Sequence, residues 1–339
     1  MYSKWQIPII QGGMGVGISM GSLAGAVARE GGMGVISTAL IGFREPDART
    51  SPIEAAKRAL RKEIEKAKEY AQGKGKIAIN AMVVTNDYKE MIREAVSCGI
   101  DAIISGAGMP LELPRLVSET KVMLAPIVSG KRATELIIKA WSRYNRKPDF
   151  IVAEGKDAGG HLGFKAEELL DGTAPSLEET VKEVVSAADG IPVFAGGSVF
   201  DAFDIKKVLS LGAHGVQIAT RFIATAECDA TQGYKDVILN AKDEDVQIIQ
   251  SPVGLPGRAV KTPLIERLKC GVKKNIKSCI NCINTCNPAK TPYCISRALI
   301  EGFYGNLEEG LFFVGANVGR VNEMTTVPKL MDELKKGFE

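Results

Sequence analysis

The chain has 339 residues, of which 45% are hydrophobic and 24% charged, a composition typical of a globular protein with a large core. Its formal net charge of +3 is too small to indicate a nucleic-acid partner, and no apolar stretch is long enough to predict a membrane span. Because no export signal is recognisable, we expect a cytoplasmic protein whose seven cysteines are reduced.

Short apolar segments alternate with longer amphipathic ones along the first two thirds of the chain. The predicted strands are Ile7–Ile10, Gly34–Ser37, Lys76–Met82, Ala102–Ser105, Val122–Val128, Phe150–Ala153, Pro192–Ala195 and Gly215–Ile218. The predicted helices are Ser22–Glu30, Pro52–Ala71, Tyr88–Ser97, Leu113–Ser118, Lys131–Arg146, Leu177–Asp189 and Asp201–Leu211. Eight strand–helix units favour a closed TIM (β/α)8 barrel over residues 1–260, and an open doubly wound sheet is the alternative.

The unusual residues follow the predicted strands, where a barrel builds its site. They include the run Gln11-Gly12-Gly13-Met14, Asn80 after the third strand, and Gly196-Gly197 after the seventh. One of the two histidines, His161, lies in the glycine-rich segment EGKDAGGHLG that follows the sixth strand. A histidine in such a loop is suited to proton transfer, and we predict that it is catalytic.

The loops after the seventh and eighth strands predict a phosphate site. Gly197 precedes a predicted helix that begins near Asp201, and Ala219-Thr220 opens another. Small residues at such positions expose backbone N–H groups to an anion, and these two loops commonly bind phosphate in barrels. The early glycine run lacks the spacing of a dinucleotide fingerprint, so a phosphate-bearing cofactor across the barrel mouth is the better interpretation.

Four motifs, IQGGMG, EGKDAGGHLG, PVFAGGSVFD and GVQIATRF, occur in this order and resemble those of the nitronate monooxygenase (2-nitropropane dioxygenase) family. That family is similar to the FMN-dependent enoyl-ACP reductases. The resemblance implies FMN in a TIM barrel, with His161 facing the flavin. The residues that it implies for FMN are Gln11, Gly12, Gly13, Met14, Asn80, Glu154, Gly159, Gly160, Gly196, Gly197, Gln217, Ile218, Ala219 and Thr220.

Within this resemblance, Gln11 to Met14 would line the isoalloxazine ring, and Thr220 with nearby amides would hold the phosphate. The implied reaction is oxidation of alkyl nitronates by dioxygen to a carbonyl compound and nitrite. His161 would act as a base or as the electrostatic partner of the nitronate. The alternative is reduction of an enoyl thioester with NAD(P)H, which Glu154 favours because nitronate enzymes more often have glutamine there.

The last quarter of the chain favours the nitronate family. The stretches SPVGLPGRAV, CINCINTCNPAKTPYC and FFVGANVGRV resemble the longer members of that family. We expect Val253–Arg258 to form a loop near the barrel mouth because it contains proline and glycine, and Leu311–Leu334 to end in a helix that packs on the barrel. Residues 261–339 are therefore predicted to be a C-terminal extension.

Cys279, Cys282, Cys286 and Cys294 could hold zinc or an iron–sulfur cluster, which gives a third hypothesis, an iron–sulfur flavoprotein reductase. Our prediction is reduced thiols without a metal. The expected partners are a small-molecule substrate and dioxygen, and a homodimer is compatible with the sequence. A flavin-binding scaffold without activity is the non-enzyme alternative, which His161 disfavours.

Overall fold

The computed structural model describes residues 5–118, 120–276 and 278–339. Its strands are β1 (Ile9–Gln11), β2 (Met33–Ser37), β3 (Lys76–Met82), β4 (Ala102–Gly106), β5 (Met123–Val128), β6 (Ile151–Glu154), β7 (Gly160–His161), β8 (Val193–Gly196), β9 (Gly215–Ile218), β10 (Val246–Gln250) and β11 (Pro256–Val260). Its helices are α1 (Gly21–Arg29), α2 (Pro52–Ala71), α3 (Tyr88–Ser97), α4 (Leu113–Leu116), α5 (Lys131–Ser142), α6 (Ala166–Leu170), α7 (Leu177–Ala187), α8 (Ala202–Ser210), α9 (Thr220–Ile223), α10 (Gln232–Asn240), α11 (Pro263–Lys269), α12 (Ile295–Phe303) and α13 (Val327–Lys335). Short 3₁₀ turns cover Asp243–Asp245, Val318–Arg320 and Lys336–Phe338.

Eight of these strands form a closed parallel barrel in the order β1-β2-β3-β4-β5-β6-β8-β9, which confirms the predicted TIM barrel. The barrel closes where β1 pairs with β9, with Ile10 opposite Gln217. Each predicted strand is present, with its ends shifted by at most two residues. The open doubly wound alternative is therefore wrong.

Three predicted helices extend at least two residues too far, among them α4, which ends at Leu116 rather than Ser118. Helix α5 ends at Ser142 rather than Arg146, and α7 ends at Ala187 rather than Asp189. In both places a residue beyond the helix has left-handed backbone, Asn145 at φ 52° and Asp189 at φ 50°. Asparagine and aspartate tolerate this conformation, which ends a right-handed helix.

The core has two layers. Inside the barrel lie apolar side chains of the strands together with Trp5, whose ring is stacked 5.3 Å from Phe194 and lies 5.5 Å from Phe150. Between the barrel and the helices a larger cluster also includes C-terminal residues such as Phe312 and Leu330. Among the described residues, no helix is long and apolar enough to cross a bilayer.

A second sheet of three strands lies beside the barrel, in the order β10-β11-β7. All its pairs are antiparallel, and His161 in β7 lies opposite Gly257 in β11. The predicted loop at Val253–Arg258 is therefore wrong in its second half, where β11 begins at Pro256. Proline is compatible with the first residue of a strand. This sheet connects the histidine loop to the C-terminal part of the chain.

Candidate active site

A deep cavity lies at the carboxyl ends of the barrel strands. The residues that both line it and were predicted for the site are Gly12, Gly13, Met14, Asn80, Glu154, Gly159, Gly160, His161, Gly197, Gln217, Ile218, Ala219 and Thr220. Two predicted residues, Gln11 and Gly196, do not line it. The loops after at least five different strands thus converge on one space, as the barrel geometry requires.

Gln11 supports the first loop from behind. Its side chain is fully buried, its Oε1 accepts a hydrogen bond from the Val35 amide at 3.0 Å, and its Nε2 donates to the Gly12 carbonyl. Gly196 ends β8, and its carbonyl accepts from the Gly155 amide at 2.9 Å. Both residues stabilise the loops around the cavity without lining it, because their polar groups form hydrogen bonds within the barrel.

The first loop packs closely against the third strand. A Cβ atom on Gly13 would lie 2.4 Å from Cβ of Asn80, so only glycine fits there. The Met14 amide donates to Ser19 Oγ at 2.8 Å, which fixes the next turn of the loop. As a result, the backbone of Gly12 to Met14 lies directly along one wall of the cavity.

His161 lies in the cavity wall on β7. Its Nε2 is 2.8 Å from Ser251 Oγ, and its ring meets the Phe313 ring edge-on with centroids 5.1 Å apart. Burial lowers the pKa of His161 to about 4, because the imidazolium form would lose its hydration. The imidazole is therefore neutral near pH 7.

Glu154 is the second titratable group in the cavity. Burial raises the pKa of Glu154 to about 8, so its carboxyl is mostly protonated at neutral pH. Within the described part of the chain, Glu154, Asn80 and Gln217 form no side-chain hydrogen bond, although all three line the cavity. Polar side chains without protein partners in an enclosed site are available to a ligand.

The predicted phosphate loops offer free amides. Within the described residues, the N–H groups of Gly197, Ser198, Ala219 and Thr220 donate no hydrogen bond. Gly197 has φ +95°, and a Cβ there would lie 3.1 Å from the Gly155 carbonyl oxygen. The amides therefore approach the cavity because glycine leaves the turn open.

The helix after these glycines contributes less than predicted. The carboxylate of Asp201 accepts from the amides of Phe203 and Asp204 at 2.9 and 3.1 Å, which caps the start of α8. The first amides of α8 therefore already have an acceptor. An anion would be bound by the amides of the loop rather than by the start of the helix.

Comparison with known proteins agrees with this geometry. The family model for nitronate monooxygenase matches residues 2–337. The chain belongs to the nitronate monooxygenase family.

Relatives of this nitronate monooxygenase-family chain carry different names. A probable nitronate monooxygenase of Staphylococcus aureus is 30% identical over 183 residues, which cover 50% of this chain and 49% of the relative. A (3aS,4S,5R,7aS)-5-hydroxy-7a-methyl-1-oxo-octahydro-1H-indene-4-carboxyl-CoA dehydrogenase of Mycobacterium tuberculosis is 28% identical over 264 residues, covering 78% of this chain and 66% of the relative. The chain thus spans about half of the first of these curated relatives and about two thirds of the second.

Two solved structures share the fold. FabK from Thermotoga maritima superposes with a TM-score of 0.78 at 24% identity, covering 99% of this chain and 93% of FabK. A nitroalkane oxidase from Streptomyces ansochromogenes superposes with a TM-score of 0.75 at 18% identity, covering 97% and 95% of the two chains.

One wall of the cavity was not predicted from the sequence. It is formed by Phe313 to Gly315 and Asn317, which come from the C-terminal extension of this nitronate monooxygenase-family chain. The Gly315 amide donates to Thr220 Oγ1 at 3.0 Å, and Asn317 Nδ2 donates to the Ser198 carbonyl at 3.2 Å. The segment FFVGANVGRV was recognised by its family resemblance, but Gly315 and the apolar residues before it give no periodic pattern that points to a site.

The cysteine-rich segment lies against the turn that follows β3. The Asn284 amide donates to the Val84 carbonyl, and the Asn86 amide donates to the Cys282 carbonyl, at 2.9 and 3.1 Å. The cysteines carry free thiols, and burial raises the pKa of Cys282 and Cys286. Among the residues that the structure describes, no three His, Cys, Asp or Glu side chains are grouped as a metal site.

Proposed function

We propose that the cavity binds FMN and that the protein catalyses FMN-dependent oxidation of alkyl nitronates by dioxygen. The products would be a carbonyl compound and nitrite. The observation that carries the proposal is the position of His161, a neutral imidazole held by Ser251 in the wall of a cavity with free amides at one side. Membership of the nitronate monooxygenase family supports it.

The residues of the cavity fit FMN. The unpaired amides of Gly197, Ser198, Ala219 and Thr220 would hold its phosphate, because N–H groups directed at one space bind an anion. Asn80, protonated Glu154 and Gln217 would meet the polar edge of the ring. The backbone of Gly12 to Met14 would lie against the ring, where side chains would leave no room.

When bound, FMN supplies the electron-transfer chemistry with dioxygen. The protein's own residues bind and orient the substrate. Overall, two nitronate anions and one dioxygen molecule give two carbonyl compounds and two nitrite ions, so each carbon gains one oxygen atom. His161 would hold the nitronate by donating a hydrogen bond to a nitro oxygen, and charge-assisted bonds of this kind are strong in an enclosed site.

Reduction of an enoyl thioester with NAD(P)H is the second candidate. Two observations favour it, a glutamate at position 154 and a relative named as a carboxyl-CoA dehydrogenase. In that reaction His161 would donate its hydrogen bond to the thioester carbonyl. The two candidates share the cofactor and the role of His161, and they differ in the substrate and in the direction of electron transfer.

The purified protein should have a flavin absorbance spectrum, take up oxygen with propionate 3-nitronate, and release nitrite in equal amount to the nitronate consumed. Oxidation of NAD(P)H that depends on an enoyl thioester, without oxygen uptake on nitronate, would replace the first candidate with the second. A protein that binds no flavin after reconstitution would contradict both.

Replacing the histidine tests its role. We expect His161→Ala to lower kcat/KM on the nitronate by about 100-fold or more, because one positioned polar group typically contributes that much. His214→Ala is the matched control, since His214 precedes β9 at the opposite end of the barrel and accepts only a 3.4 Å bond from the Val193 amide. Equal activity of the two variants would remove His161 from the mechanism.

A further inference from the structure

We propose that Ser251 is a positioning residue that holds neutral His161 in one tautomer, with its hydrogen on Nδ1. The cavity then receives an N–H donor from the imidazole rather than a free lone pair. What this donor binds depends on the function proposed above, but the tautomer itself does not.

The sheet places the two side chains together. Ser251 follows directly after β10, and His161 lies in β7, on the other side of β11. The Leu162 amide donates to the Pro256 carbonyl at 2.9 Å, which extends the pairing of β7 with β11. The Phe313 ring lies against the imidazole at 65°. The ring is therefore held on both sides, and its Nε2 lies 2.8 Å from Ser251 Oγ.

The direction of this hydrogen bond follows from the other bond of the hydroxyl. Ser251 Oγ accepts from the Val253 amide at 3.3 Å, and the side chain is only 7% exposed. If His161 Nε2 also donated to this oxygen, the buried hydroxyl hydrogen would have no acceptor among the described residues. Since unpaired buried donors are costly, the hydroxyl donates to Nε2.

The turn that presents the hydroxyl is fixed independently. The Gly254 amide donates to the Ser251 carbonyl at 3.0 Å, and Thr285 Oγ1 donates to the Val253 carbonyl at 2.9 Å. Thr285 belongs to the cysteine-rich segment, which thereby supports the turn from outside. The Val253 amide therefore remains hydrogen-bonded to Ser251 Oγ, and the hydroxyl hydrogen remains directed at Nε2 of His161.

An Nδ1–H group selects among substrates. Nδ1 of His161 has no protein partner in the described part of the chain, so it is free for a ligand. A donor stabilises the oxygen of an already formed nitronate anion, but it cannot accept the α-proton of a neutral nitroalkane. The enzyme is therefore expected to use nitronates in preference to the parent nitroalkanes.

Nitrogen-15 NMR of the histidine rings tests the tautomer without any activity measurement. Only two histidines are present, so a ¹⁵N-histidine sample of the holoenzyme gives two ring patterns, and His214→Gln assigns them. We expect His161 to show a protonated Nδ1 and an unprotonated Nε2 near pH 7. A hydrogen on Nε2 in the unmodified protein would overturn the inference, even if no variant folds.

Two substitutions test whether Ser251 is the cause. Ser251→Ala should shift the His161 nitrogen signals toward a mixture of tautomers and raise KM for propionate 3-nitronate about two- to fivefold, because only the molecules with a hydrogen on Nδ1 then offer the donor. Ser251→Thr keeps the hydroxyl and should preserve both values. Unchanged NMR signals in Ser251→Ala would contradict the inference.

The two proposals fail separately. The Nδ1–H pattern without nitronate oxidation would contradict the proposed function and leave the role of Ser251 intact. Nitronate oxidation with a hydrogen on Nε2 would support the proposed function and contradict the role of Ser251.

Discussion

Two ionisable side chains in the cavity are both held in their neutral forms. Burial lowers the pKa of His161 to about 4 and raises that of Glu154 to about 8, so neither carries a charge over most of the range between these values. The same loss of hydration acts on an acid and on a base in opposite directions. An anionic substrate therefore meets hydrogen-bond donors rather than a like charge.

The pKa of Glu154 predicts how stability depends on pH. A carboxyl with a raised pKa in the folded protein keeps a proton that the unfolded chain releases, so folding stability falls as pH rises from 4.5 to about 8. Glu154→Gln removes the ionisable carboxyl and therefore removes this loss of stability at high pH. In ligand-free protein, we expect its melting temperature to match the wild type near pH 4 and to exceed it by about 3 °C at pH 8.5.

Glu178→Gln is a control for the direction of the pH effect on stability. A hydrogen bond from Lys207 lowers the pKa of Glu178, so removing that carboxylate should slightly reduce stability at pH 8.5 rather than increase it. Melting curves of the three proteins at pH 4 and 8.5 measure both effects. A gap between Glu154→Gln and wild type that does not grow with pH would show that Glu154 is hydrated in the folded protein.

At the scale of elements, the sequence predicted the barrel and missed the antiparallel pairing of the second sheet. The barrel strands are apolar runs such as Ile151–Val152, buried on both faces, and such runs are recognisable without knowing their neighbours. Strand β7 is only Gly160 and His161, and it exists because β11 lies beside it. Ser251 was missed for the same reason, since its partner is 90 residues away. The glycine loops and His161 were predicted because glycine is itself a local signal.

The glycine loop before β7 depends on its contact with the C-terminal extension. A Cβ atom on Gly159 would lie 2.5 Å from the carbonyl carbon of Val314, where only backbone could move. We expect Gly159→Ala to destabilise the protein by about 1–3 kcal/mol and to lower its flavin content, because the two cavity walls must separate. Thermal unfolding and the ratio of flavin to protein absorbance measure these effects.

Gly172→Ala is the matched control for glycine replacement. Gly172 has φ +80° and open space around its would-be Cβ, so alanine there costs only the left-handed backbone, about 1 kcal/mol, without loss of flavin. If Gly159→Ala and Gly172→Ala behaved alike, the contact between the two walls would not hold the cofactor site.

At the scale of the whole molecule, described residues after position 260 share a core with the barrel. Helix α13 packs on α1 and α8, and Val327, Leu330 and Leu334 are fully buried in the cluster that also contains the barrel helices. Arg221 at the cavity donates to the Glu333 carboxylate at 2.8 Å. We therefore propose that the extension and the barrel unfold together, although the sequence divides them near residue 260.

Leu330→Ala tests this cooperativity. Truncating a fully buried leucine typically costs about 2–5 kcal/mol, and in a cooperative molecule that loss lowers the stability of the barrel itself. Both tryptophans, Trp5 and Trp141, are buried in the barrel part, so their fluorescence reports barrel unfolding alone. The fluorescence midpoint in denaturant should fall in Leu330→Ala and stay unchanged in Lys329→Ala, whose side chain is exposed. An unchanged midpoint in Leu330→Ala would mean that α13 detaches before the barrel unfolds, and the extension would then be a separate unit whose wall of the cavity can open.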